Sequence, residues 1–348
     1  MRDDIQRMTI EAVAIRKKLH RRVQGIAATL LPYEADGTIA VDAFQQLLVA
    51  TQRAGLSNAV NMDTGYVNLL TDAEKLDVLR WTRQALGNNV PFIAGAYIEN
   101  QTGELVTLFR RQMDAIVNFG ASPILFPTAR LHGKSAAEKA HIYQSVCQDY
   151  PDVLAFELGP QFAPNGEIFD TDTFLRLLDI PEIKGIKHSS LDRLLELERL
   201  SVRDARRPDF RIYTGNDLGI DVIEYGSDYL LGLATFAPSK FAERDRLWEA
   251  GDPAYYALSD ALQYLGNVAF RDPVPAYKHS AAVFLHATGR IPTALPHPAN
   301  PRRPTWEPEI LKDCAIRLGC PFIVSMDVTT PTTLPEARQA HPGNRERT

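Results

Sequence analysis

The chain has 348 residues, 45% of them hydrophobic and 23% charged, with a formal net charge of -5. That balance belongs to a folded globular protein rather than a disordered one, and it supplies no basic field that would hold nucleic acid. Cys147, Cys314 and Cys320 are too few and too scattered for a disulfide framework, and no CxxC pair occurs.

The N-terminal stretch MRDDIQRMTIEAVAIRKKLHRR is charged throughout and lacks the apolar core of a signal peptide. No run approaches the roughly 18 uninterrupted apolar residues of a membrane span. The expectation is a cytoplasmic protein without a membrane partner. Residues 4–22 read as an extra helix ahead of the main fold.

From residue 25 onward, short apolar and β-branched runs alternate with longer stretches of helical period, the pattern of βαβ units. The strand candidates in chain order are 25–33, 56–62, 91–98, 122–128, 153–159, 183–189, 210–216 and 228–236. Between them lie helix candidates such as VDAFQQLLVATQRAG, TDAEKLDVLRWTRQALG and GELVTLFRRQMDAIVNFG. The first four residues of the second match a capping box. Eight such units predict a (β/α)8 barrel over 25–250 rather than an open doubly wound sheet.

The remaining segments frame that barrel. Residues 1–24 form an N-terminal helical extension, and 251–325 a C-terminal helical region with helices over 253–270, 272–289 and 306–319. Residues 326–348 lack an apolar period and read as a loose tail.

In a barrel of this kind the C-terminal strand ends converge on one mouth, where reactions occur. The polar residues at those ends are Asp63, Thr64, Tyr97, Glu99, Thr128, Glu157, Lys187, His188, Asn216, Asp217 and Thr235. Lys187 stands out in the run IPEIKGIKHSS. Alternation puts it on one face with Gly185 and Ser189, which leave room for a long side chain and for something attached to its tip. An amine held among apolar neighbours loses solvation, so its basicity falls and its neutral form can attack a carbonyl. The competing reading is a structural ion pair of Lys187 with Asp63 or Glu157. The histidines show no metal-ligand spacing, His188 is expected on the helix side, and a metal held by Asp63, Glu157 and Asp217 is the weaker alternative.

The stretches LPYEADGTIAVDAF, DTGYVNLLTDAEK, IPEIKGIKHSS, YTGND and DPVPAYKHSAAVFLHATGRI give most of the chain a resemblance to the dihydrodipicolinate synthase and N-acetylneuraminate lyase superfamily. The resemblance implies a (β/α)8 barrel with a C-terminal helical extension, a dimer or tetramer of identical chains, and a Schiff base on Lys187. It implies a small carbonyl substrate and no organic cofactor or metal. Met62 to Tyr66 match the family's Gly-Thr-Thr-Gly-Glu turn for a keto-acid carboxylate; Thr64 and Gly65 are retained, while Asp63 brings in a carboxylate. The family's tyrosine on strand five has no counterpart in Ala155 to Leu158, and its second tyrosine aligns with Thr128 or Ala129. The arginine that follows strand five in the lysine-pathway enzyme has no counterpart either, so the authentic lysine-pathway activity is not expected.

The function expected is therefore a Schiff-base-forming lyase, an aldolase or dehydratase, acting on a 2-oxo acid such as pyruvate or on a sugar-acid derivative. Lys187 is the nucleophile, with Glu157 and then Tyr97 as the groups that move protons, and Asp63, Thr64, Gly65, Thr128, Asn216 and Thr235 around the substrate. The alternatives are a Schiff-base enzyme for a non-pyruvate carbonyl, and a non-catalytic small-molecule-binding or regulatory protein on the same barrel.

Overall fold

A computed structural model describes residues 15–320, 322 and 323. Each of the eight strand candidates contains a strand: β1 (Gly25–Ala28), β2 (Ser57–Val60), β3 (Ile93–Ala96), β4 (Ser122–Leu125), β5 (Val153–Leu158), β6 (Ile183–Ser189), β7 (Arg211–Thr214) and β8 (Asp228–Leu231). All pairs are parallel, and β1 pairs with β8 through Gly25↔Tyr229 and Ile26↔Leu230, which closes the barrel and removes the open-sheet alternative. Apart from β6, the strands are shorter than the apolar runs. The stretch beyond Leu231, for example, becomes a 3-10 turn over Leu233–Thr235.

The strands alternate with α1 (Val41–Ala54), α2 (Asp72–Leu86), α3 (Leu105–Asn118), α4 (Ala136–Cys147), α5 (Thr171–Leu178), α6 (Arg193–Arg206) and, after β8, α7 (Pro238–Ala250). The capping box predicted at α2 is present: the Thr71 hydroxyl accepts from Glu74 N–H while the Glu74 carboxylate accepts from Thr71 N–H. Between β7 and β8 the chain makes only a 3-10 turn, Ile220–Tyr225, since the interval from Thr214 to Asp228 leaves no length for a full helix and its two loops.

Residues 1–14 of the anticipated helix lie outside the described residues, and 15–22 are loop and turn rather than helix. Several of their polar groups are engaged by the barrel. Lys18 N–H donates to Glu224 O at 2.6 Å, and the Arg21 guanidinium donates to the Asp228 carboxylate at 3.0 Å. At the other end α8 (Ala254–Ala269), α9 (Tyr277–Ala287) and α10 (Glu307–Arg317) match the three helices expected there, with a 3-10 turn, Val274–Ala276, leading into α9. The tail at 326–348 lies outside the described residues.

The strand faces divide the chemistry. Inside the barrel, Tyr97, Phe126 and Phe156 step from β3 to β5 as edge-to-face pairs with ring centroids 5.5 and 4.9 Å apart. Phe156 pairs in register with Lys187, and Glu157 with His188. The register slips by one residue between Val153 and Leu154, where Val153 opposes Ile183 but Leu154 opposes Gly185. Lys184 is the residue passed over. Because side chains alternate with a period of two, this slip exchanges which residues of β5 share a face with Lys187.

Candidate active site around Lys187

Lys187 points into the barrel from β6 and is 7% exposed. Its Nζ stands 4.5 Å from the centroid of the Phe156 ring. Small neighbours give its stem room: a Cβ added at Gly215 would lie 2.7 Å from Lys187 Cε and 1.8 Å from Ser189 Oγ. The Ser189 hydroxyl on the same face is buried and has no hydrogen-bond partner among the described residues, so it can serve a bound molecule. Burial pushes the Lys187 amine below its ordinary value, and the carboxylates of Asp217 and Asp63 offset part of that fall by favouring the ammonium. Asp217, buried at the end of β7, is pushed above the usual carboxylate range by desolvation, against its bond from Leu233 N–H at 2.8 Å and the attraction of Lys187.

Asp63 is not the ionic partner of Lys187. Its Oδ1 accepts from Lys278 Nζ at 3.0 Å and its Oδ2 from the Tyr277 hydroxyl at 2.9 Å. Thr64 beside it hydrogen-bonds Tyr277 Oη at 2.8 Å. Asp63, Thr64 and Gly65 form a short 3-10 turn after β2, and Tyr277 and Lys278 open α9. The carboxylate that would repel a substrate anion is thus balanced by an ammonium from the C-terminal helices.

Glu157 is the main correction to the expected site. The slip in register turns it to the helix side, where it is fully buried beneath α6. There it bonds His188 Nδ1, the guanidinium of Arg199 at 3.0 Å and Phe169 N–H at 3.1 Å. Burial opposes its charge, but Arg199 and His188 win and hold its carboxyl down at about 2. It neither reaches Lys187 nor faces the mouth. His188, expected on the helix side, is there, and its Nε2 meets Ser190 Oγ at 2.7 Å. Nearby Glu196 accepts from the Thr214 hydroxyl at 2.8 Å, and burial pushes its carboxyl up to about 7.

The other expected residues have local engagements. Tyr97 lies on the barrel side, edge-on to Phe126, with burial raising its phenol to about 12 and Glu99 and Asp63 adding to the rise. The Thr128 hydroxyl donates to Glu99 at 2.5 Å and caps the 3-10 turn Ala129–Leu131. Asn216 Oδ1 accepts from Leu218 N–H at 3.1 Å within the turn after β7. Thr235 Oγ1 accepts from Leu30 N–H at 3.1 Å and ties the end of β8 to β1.

Sequence reasoning passed over Phe156, Tyr277 and Lys278 as site residues. The last two lie in DPVPAYKHS, a stretch noticed for its resemblance but without a signal that it faces Asp63, 214 residues away from Tyr277. Among the described residues no group of three or more His, Cys, Asp or Glu side chains is placed to hold a metal ion, and no helix is long and apolar enough to cross a membrane.

A closed parallel (β/α)8 barrel with a buried amine at the C-terminal end of its sixth strand defines the class to which the chain is to be compared. No family model matches it. It is 28% identical over 277 residues to the 4-hydroxy-tetrahydrodipicolinate synthase of Laribacter hongkongensis, covering 78% of this chain and 90% of that protein. It is 25% identical over 281 residues to the protein of the same name from Gluconacetobacter diazotrophicus, covering 77% and 90%. A dihydrodipicolinate synthase structure from Acinetobacter baumannii, complexed with pyruvate, shares the fold at a TM-score of 0.73 and 20% identity over 86% of this chain and 100% of that one. A prophage protein of the dihydrodipicolinic acid synthase family from Escherichia coli K12, also in complex with pyruvate, shares it at 0.73 and 17% over 85% and 99%. At modest sequence identity, these matches support membership of the dihydrodipicolinate synthase family.

Proposed function

We propose that the protein is a Schiff-base-forming lyase, an aldolase or dehydratase, in which Lys187 condenses with a 2-oxo acid such as pyruvate or with a sugar-acid derivative. The observation that carries this reading is the placement of Lys187: a buried amine of lowered basicity, set over the Phe156 ring, its stem lodged in the space left by Gly215 and the unpartnered Ser189 hydroxyl on its own face. A structural lysine needs a close, charged carboxylate; Asp63 is already bonded to Lys278 and Tyr277, and Asp217 is pushed by burial towards its neutral form. The names of the relatives and the pyruvate in two similar structures agree in substrate class.

In this chemistry the neutral amine of Lys187 adds to the carbonyl carbon to give a carbinolamine. Loss of water from it leaves an iminium. The positive nitrogen draws electrons from the adjacent carbon, so a C–H, C–C or C–O bond next to the former carbonyl can break or form. Hydrolysis then returns the carbonyl product and the free lysine. Asp217 can hold or accept a proton beside the amine, since burial keeps its carboxyl near the point of titration in the neutral range.

Asp63 supports a second reading, a Schiff-base enzyme for a carbonyl compound without a carboxylate at that end, because its own carboxylate takes up the Lys278 ammonium at this turn. Borohydride trapping with pyruvate, longer 2-oxo acids and aldehydes, followed by intact mass and peptide mapping, separates the two. The expected adduct lies on Lys187 and is absent from Lys187→Ala. An aldehyde adduct without a 2-oxo-acid adduct supports the second reading. No adduct with any carbonyl, from folded protein, overturns both and leaves a small-molecule-binding protein.

A further inference from the structure

We infer that Glu196, buried on α6 behind the barrel wall, is a positioning residue for the reaction: through the Thr214 hydroxyl it sets the turn at 215–217 against the side chain of Lys187. This deepens the Schiff-base reading and rests on it. An amine that must meet a carbonyl carbon depends on what fixes its surroundings, because small displacements of a reacting group are costly in rate.

A continuous run of hydrogen bonds joins the two residues. Thr214 ends β7, with its side chain turned to α6 and its backbone leading into the turn. Its hydroxyl donates to Glu196 Oε2 at 2.8 Å and accepts from Asn216 N–H, two residues on, at 3.1 Å. A threonine oxygen bonded in this way bends the chain at the residue between, here Gly215. Gly215 N–H in turn donates to His188 O at 2.7 Å, which docks the turn on β6 next to Lys187. Gly215 then lies so near that a Cβ on it would be 2.7 Å from Lys187 Cε and 1.8 Å from Ser189 Oγ. A shift of the turn is therefore a shift of the lysine stem. The same turn carries Asp217, whose carboxylate accepts from Leu233 N–H at 2.8 Å and whose carbonyl accepts from Gln263 Nε2 at 3.1 Å, so its far end is anchored separately.

The bonding of Glu196 suits this task. A carboxyl taken out of water needs compensation, and Glu157 nearby finds it in the Arg199 guanidinium. Glu196 is fully buried, yet among the described residues its bonds go to the hydroxyls of Thr214 and Ser227 and to no cation. Ser227 Oγ accepts from Thr214 N–H at 3.1 Å and has one hydrogen for three acceptors: Glu196 Oε1 at 3.0 Å, Ile212 O at 3.0 Å and Asp228 O at 2.9 Å. With that hydrogen on a carbonyl, a protonated Glu196 donates to Ser227 while its other oxygen accepts from Thr214. The neutral acid thus satisfies both hydroxyls, in keeping with burial that pushes its carboxyl up to about 7. One oxygen holds Thr214 by its hydroxyl, and the other holds it by its N–H through Ser227.

The test uses the full chain and the carbonyl compound that borohydride traps, pyruvate first. Trapping on Lys187 is followed by intact mass over a range of concentrations, with thermal melts to show that each variant is folded. Thr214→Val and Glu196→Leu break the run of bonds from behind the barrel wall. Thr214→Ser and Glu196→Gln keep it, since serine retains the hydroxyl and the amide can accept from Thr214 and donate to Ser227. The first two are expected to lower the maximal trapping rate about ten-fold with half-saturating pyruvate little changed, and the second two to stay within about two-fold of wild type. A merely structural role would leave the maximal rate of a folded variant unmoved. The wild-type maximal rate in folded Thr214→Val or folded Glu196→Leu overturns the inference and leaves the Schiff-base reading standing, as does an equal loss in the serine and glutamine variants. Wild type that traps no carbonyl sinks that reading, and the role of Glu196 with it.

Discussion

Gly215 on the turn after β7 and Lys187 on β6 approach so closely that a Cβ on Gly215 would lie 2.7 Å from Lys187 Cε, nearer than side-chain carbons come to other atoms. The lysine stem occupies the space where the side chain of residue 215 would be.

Gly215→Ala must therefore displace Lys187 or Ser189, whose Oγ would be 1.8 Å from the new carbon. A misplacement of about 1 Å can cost on the order of 100-fold in rate. The expected outcome is a loss of that order in the rate of borohydride-trappable imine, with the fold kept by circular dichroism. Trapping at the wild-type rate would show that the close approach does not constrain the amine.

The pH dependence of trapping follows from the charges around Lys187. The neutral amine attacks, so the rate rises with pH through the amine's own titration. Burial sets that midpoint below the ordinary lysine value of 10.5, and Asp217 and Asp63 pull it back up. Asp217→Asn removes a charge that favours the ammonium while keeping an oxygen for Leu233 N–H, so the midpoint is expected to move to lower pH. A shift to higher pH in Asp217→Asn would contradict this assignment of the field.

Behind the barrel, Arg199 and Glu157 form a buried pair at 3.0 Å with no exposure of either side chain. Arg199→Met strands the carboxylate in the interior, a change that typically costs about 3–5 kcal/mol. Glu157 titrates at about 2 in the folded chain against 4.5 ordinarily. Its depressed value means that its contribution is complete above pH 4.5 and is lost as pH falls towards 2. Denaturant melts should show lower stability for Arg199→Met at neutral pH, and acid titration should show unfolding at a higher pH than in wild type. Equal acid midpoints would mean that the pair does not hold the carboxyl down.

Much of the barrel was legible along the chain because strands and helices announce themselves by local periodicity. The capping box at Thr71 and Glu74 is local in the same sense, its partners being three residues apart. The placement of Lys187 among Gly185 and Ser189 needed only the alternation of β6 itself. The N-terminal helix failed as an expectation over residues 15–22 because the bonds that decide that segment run to Glu224 and Asp228 at the far end of the barrel.

The sequence by itself determined the eight repeating units and the lysine on the sixth strand, since each depends on residues close together in the chain. The partners of that lysine were decided by tertiary structure. The alternation in VLAFEL says that Phe156 and Glu157 face opposite ways but not which one looks inward. A one-residue slip against β6 settles it for Phe156 and buries Glu157 against Arg199. Likewise the bond from Tyr277 to Asp63 joins positions 214 residues apart, and only closure of the barrel and docking of α9 on its rim bring them together.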